Sequence, residues 1–157
     1  MKLERYFNRF HLISCLSYQG LLYYPVANGS AIRLGYAIGN SSGYAAEITS
    51  IQAVAFFGIA ATANTAAEAS SDGAVDVGVI PPYPHHRFAA PLEATDLITQ
   101  AQVGAIYDLQ SANSLDEADA ITLGYGFRVD AIDVSAEAVD ANTFGFAIGH
   151  FEYIAAS

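Results

Sequence analysis

Positive charge is scarce in this sequence. Six Lys and Arg stand against 16 Asp and Glu, a formal net charge of −10 over 157 residues. Nucleic-acid binding needs clustered Lys and Arg to displace phosphate counterions, so that class is excluded. Attachment to an anionic membrane surface is disfavoured on the same ground. Cysteine is nearly absent: Cys15 stands alone, so no intrachain disulfide can form, and a single thiol fits a reducing compartment. Tryptophan is missing, and no apolar run reaches the roughly 20 residues that a membrane-spanning helix requires.

Catalytic and metal-binding patterns are equally thin. The serines of "GNSSGY" lack the Gly-x-Ser-x-Gly elbow in a strand–helix setting. "GYGFR" and "GYAIGNSSG" are glycine-rich without the lysine and helix of a phosphate loop. His11 precedes Cys15 by four residues, a spacing that more often marks packing than a dyad. Asp116, Glu117 and Asp119 cluster, and Asp130 and Asp133 flank a strand, but "DEADA" lacks the ladder of oxygen ligands and the glycine of a calcium loop. The expectation is a non-enzymatic protein with no cofactor and no metal.

What the chain does have is apolar and aromatic content: 53% hydrophobic residues, only 14% charged, with 10 Tyr and 9 Phe. A chain of this length forms one domain, or one domain with an arm, and buries roughly 70% of its unfolded surface. So few charges point to apolar surface hidden in an assembly. The bases are also unevenly placed. Lys2, Arg5 and Arg9 lie in the first nine residues, and only Arg33, Arg87 and Arg128 follow. A basic arm therefore precedes an acidic body. Leu12–Cys15, "LISC", is similar to a lipoprotein cleavage box, but the apolar stretch before it is short and His11 interrupts it. It is expected to belong to the mature chain.

The texture along the chain is β. Leu3, Phe7, Phe10, Ile13 and Leu16 recur at spacings of three and four, which reads as a helix or a strand-like arm. Tyr18–Val26 is β-prone, and Pro25 confines it to an edge or a strand end. Asn28-Gly29 is a strong hairpin signal. Strands are expected over Ala31–Ile38, Val54–Ile59, Ala74–Ile80, Val103–Leu109, Ala120–Leu123, Phe127–Val134 and Thr143–Ile154. Gly39–Gly43 and Asp140–Asn142 read as turns, and Thr62–Gly73 and Ser111–Asp119 as loops. A short helix over Ala94–Gln102, with Thr95 as N-cap, is the one internal exception. Short strands separated by turn signals predict a mainly β protein: a small β-barrel, β-tulip-like or sandwich domain at 22–157 behind an N-terminal arm at 1–21.

Ile80–Glu93, "IPPYPHHRFAAPLE", stands out. Adjacent histidines on an extended segment point opposite ways and rarely share a metal. The better reading is a stiff loop in which Tyr83, His85, His86, Arg87 and Phe88 offer stacking and hydrogen bonds. Proline-fixed φ angles lower the cost of ordering it on a partner.

Four segments carry a resemblance. "LYYPVANGSAIRLGYAIGNSSGY", "AFFGIA", "RFAAPLEATDLITQAQVGAIYDL" and "FGFAIGHFEY" resemble, in order and spacing over about residues 22–154, the small capsid decoration, or cement, proteins of tailed bacteriophages. These are strand-and-turn textures, not catalytic motifs. The resemblance implies a β-barrel or β-tulip-like body made in the host cytoplasm. It would form homotrimers on the outer capsid surface at local three-fold positions and clamp major capsid proteins. Arg5, Phe7, Arg9 and Phe10 are expected to anchor the arm on the shell. The Tyr83–Phe88 loop is expected at a subunit or capsid contact. Another virion component (tail, head fibre or minor head protein) and a carbohydrate-binding β-module are the alternatives.

Overall fold

The computed structural model describes residues 9–14, 20–52, 55–91, 100–133 and 146–155. The protein is mainly β, with sheets curled into a half-barrel. Eleven strands are described: β1 (His11–Ser14), β2 (Leu22–Pro25), β3 (Ala37–Ser41), β4 (Tyr44–Glu47), β5 (Phe56–Ala60), β6 (Asp76–Ile80), β7 (Arg87–Pro91), β8 (Ile106–Ser111), β9 (Ser114–Ala120), β10 (Gly124–Asp133) and β11 (Phe146–Ile154). They form a larger sheet in the order β1-β7-β11-β10-β8-β9 and a smaller one in the order β2-β6-β5-β3-β4. All strand pairs are antiparallel.

Alternation explains the larger sheet. On β10 and β11, Phe127, Val129, Ala147 and Phe151 point inward and are fully buried, while Arg128, Asp130, His150 and Glu152 point outward. Gly149 lies opposite Val129 in this pair. A side chain there would collide with the Arg128 carbonyl, so only glycine lets the two strands close.

The central strands of the smaller sheet, β3 and β5, contribute to a core on each face. Ala37, Phe56 and Ile59 join the main core with the inward row of the larger sheet. Ile38, Ala45, Ala60, Val77 and Val79 form a second core with Val26, Ile32 and Ala69. A parallel bridge between Val26 and Ala45 ties β4 back toward the end of β2 and curls this sheet around its own core. Pro25 ends an edge strand, where its missing N–H costs no ladder bond.

Several local expectations are corrected. Asn28-Gly29 forms a turn but not a hairpin, since β2 pairs with β6. The Asn28 N–H donates to Asp72 Oδ1 and the Gly29 N–H to the Ala69 carbonyl, so the turn serves the loop that covers the second core. The tight hairpin is at Ser42–Gly43, where φ is positive at both residues and the Gly43 N–H donates to Asn40 Oδ1. Ser111–Asp119 is not a loop: a turn at Ala112–Asn113 leads into β9, anchored by the fully buried Leu115. Its acidic residues suit an edge strand, where charge discourages sheet extension. Residues 121–123 connect strands instead of forming one.

At the N-terminus, residues 11–14 are strand, not helix, and β1 pairs with β7. Of the helix expected over Ala94–Gln102, only a 3-10 turn at Gln100–Gln102 falls within the described residues. Thr95 and the turn expected at Asp140–Asn142 lie outside them.

Candidate functional site

The proline-rich loop is a turn. The His86 N–H donates to the Tyr83 carbonyl across Pro84 and His85, a four-residue β-turn with proline in its favoured second position. The turn overrides the expectation that the two histidines diverge. Their rings meet edge to face at 4.5 Å, each 5.6 Å from the Tyr83 ring. His86 is buried, and its Nδ1 lies 2.8 Å from the Pro81 carbonyl oxygen, so it holds the loop from within. His85 Nε2 is buried without a hydrogen-bond partner among the described residues. Phe88 is fully buried in the main core. Of the five residues expected to face a partner, His86 and Phe88 are thus internal, because β7 begins at Arg87 and its next residue points inward.

The arm residues divide in the same way. Arg5 and Phe7 lie outside the described residues. Arg9 lines a shallow groove with Leu12, Leu34 and Ile80. Phe10 is not an outward anchor: it is 2% exposed and its N–H donates to the Gly35 carbonyl. Its ring packs 5.9 Å from Phe127 and 5.5 Å from Phe151.

A polar network on the outer face of the larger sheet joins residues that sequence reasoning left apart. Arg128 Nε and Nη2 donate to Glu152 at 2.8 and 2.7 Å, and Nη1 donates to the Gly104 carbonyl. His150 lies between two carboxylates, Nδ1 2.7 Å from Asp130 and Nε2 3.0 Å from Glu152. Arg87 reaches the same Asp130 oxygen at 3.5 Å. The bulge between Val129 and Ala131 places Asp130 for these contacts. The Arg128 hydrogen bonds hold the Glu152 carboxyl at about 2, well below its ordinary 4.5, with His150 adding to the effect. The same bond raises Arg128. The signal was present in "FRVD" and "HFE", where charged residues alternate with core residues on two strands. Among the described residues, no group of three or more His, Cys, Asp or Glu is placed to hold a metal ion.

At one end of the molecule the inward row of β10 and β11 runs past the core. Beyond Phe127 and Phe151 come the paired Tyr125 and Tyr153, whose rings meet at 5.2 Å. With Phe56, Gln52 and Leu123 they border a groove of about 640 Å³.

No protein-family model matches this chain, and no curated protein or solved structure matches it.

Proposed function

We propose that this chain is a non-enzymatic virion structural protein: a capsid decoration protein that binds the outer shell as a homotrimer, contacts the major capsid protein and stabilises the head. The observation that carries this reading is the placement of exposed apolar side chains. Leu12 and Ile13 of β1, Leu22 and Tyr23 of β2, and Leu34 in the turn before β3 all stand in solvent. Leu12 and Leu34 flank one groove with Ile80 of β6, and β6 pairs with β2. Leu12, Leu34 and Ile80 thus make one apolar groove, and such exposed apolar surface marks a contact face. Arg9, the last base of the N-terminal segment, lines the same groove. The curled β body also agrees with the architecture that the sequence resemblance implies.

The test is co-sedimentation of the purified chain with expanded, DNA-free phage capsids. Saturable binding, stoichiometric with the capsid subunit, is the expected result. No binding, or a few copies per particle, moves the reading to a tail, head-fibre or minor head protein. Because Phe10 and β1 belong to the body, the arm is tested by removing residues 1–8 only. That truncation is expected to lower occupancy while leaving the body folded. The loop is tested at Tyr83 and at Arg87, whose side chain is half exposed. Alanine there should lower occupancy more than an equal change in the Ser70–Gly73 loop.

A further inference from the structure

We infer that the groove between the start of β10 and the segment before β5 is a binding site for a neutral saccharide. Three observations lead there.

The first is charge. The body is strongly acidic, yet none of the described residues lining this groove is charged. The nearby Asp108 is buried, and its carboxylate accepts from Ser50 and from the Ile51 and Leu109 N–H groups. A charged ligand would find no counter-ion here, so the site favours an uncharged one.

The second is the wall. Tyr125 and Tyr153 lie on the inward side of their strands, where Phe56 of the smaller sheet packs against Tyr125 and Tyr153 is left exposed. Tyr153 is 63% exposed. Phe56 packs edge-on against Tyr125 at 5.7 Å and fixes that ring. The result is an aromatic wall open to solvent, with the Tyr125 ring held by Phe56 and the Tyr153 ring set against its edge. A pyranose ring matches it, because one face of the sugar presents C–H groups while its rim carries hydroxyls.

The third is the polar complement. Gln52 is exposed, and its amide makes no hydrogen bond among the described residues. It supplies two donors and an acceptor at the rim, and the two tyrosine hydroxyls supply more. Gly124 faces Gln52 without a side chain, which keeps the groove open at that point. A wholly apolar ligand would waste these groups. The volume falls within the range of small-molecule sites.

The experiment uses the isolated full chain, so its outcome does not depend on capsid attachment. Maltotriose, cellotriose and the N-acetylglucosamine trimer are titrated while ligand-observed NMR and tyrosine fluorescence are recorded. Sialyllactose serves as the charged comparison. Saturable binding of at least one neutral trisaccharide is expected. It should be weakened about tenfold by Tyr153→Ala and by Gln52→Ala, a loss of roughly 1.4 kcal/mol. Tyr153→Phe, which keeps the ring, should retain most of the affinity. Three results would overturn the inference: no saturation with any neutral sugar, binding of sialyllactose alone, or binding unchanged in both alanine variants. Both positions are exposed, and circular dichroism confirms that the variants remain folded.

Discussion

Arg128 and Glu152 grip each other at two points across β10 and β11, with Nε–Oε2 at 2.8 Å and Nη2–Oε1 at 2.7 Å. They are not directly opposite: Arg128 faces His150 and Glu152 faces Gly126, so the pair runs diagonally over the sheet. A bidentate geometry is the form of surface ion pair most able to contribute.

The acid response follows from this pair. Glu152 is held at about 2 in the folded chain against an ordinary 4.5. A depressed carboxyl favours the folded state above its unfolded value, and the benefit disappears as the pH falls through the folded one. Stability should therefore be level above about pH 4.5 and decline toward pH 2. Solvent reaches both side chains, so the contribution is about 1–2 kcal/mol. Glu152→Gln should lower stability at pH 7 by that amount and flatten the acid limb. Urea denaturation at several pH values reads both effects. An unchanged acid limb would show that the pair contributes nothing.

Phe10 should behave as a core residue. Its ring joins Phe56, Phe88 and Phe127 around Phe151, whose centroid lies within 5.5 Å of Phe10, 4.8 Å of Phe56, 5.4 Å of Phe88 and 5.1 Å of Phe127. Truncating a buried phenylalanine removes burial and leaves a cavity, typically 3–5 kcal/mol. Phe10→Ala and Phe151→Ala should both fall near about 3–5 kcal/mol in denaturant titrations. A Phe10→Ala variant as stable as the parent would return this residue to the arm.

The sequence made the fold class plain, because alternation and turn residues are local signals. It placed β6, β10 and β11 well for that reason. It was silent on the use of each turn. Asn28-Gly29 looked stronger than Ser42-Gly43, yet the hairpin forms where the flanking strands have partners. β9 was hidden because an edge strand tolerates the polar residues that mark a loop. Phe10 was read as an anchor because its burial depends on β1 pairing with a strand more than 70 residues away. The outward ion network was encoded in two alternating segments, but the register that joins them is a long-range property.

The close approach of β10 and β11 should make Gly149 intolerant. A methyl group there would meet the Arg128 carbonyl, a backbone atom that cannot step aside without breaking the ladder. Gly149→Ala should cost several times the roughly 1 kcal/mol scale of an ordinary strand substitution. Gly104→Ala is the comparison, since nothing lies near its added carbon and only its positive φ of 89° opposes the change. Thermal unfolding should rank Gly149→Ala well below Gly104→Ala. The reverse order would mean that the sheet can shift to admit a side chain.

Asp108 should act as the polar link between the two sheets. It sits on β8 of the larger sheet and is 4% exposed. Its carboxylate accepts from the Ser50 hydroxyl at 2.5 Å and from the Ile51 N–H at 2.8 Å, in the segment that follows β4 of the smaller sheet. Ile51 and Ile48 are core residues, so this one side chain fixes where the segment enters the core. Asp108→Ala strands a buried N–H and should cost about 2–4 kcal/mol. Asp108→Asn keeps one acceptor oxygen and should cost less. Hydrogen exchange at the Ile51 amide separates the two cases. Fast exchange in Asp108→Ala with slow exchange in Asp108→Asn is expected, whereas equal protection in both would show that the backbone finds another partner and that Asp108 is dispensable as a link.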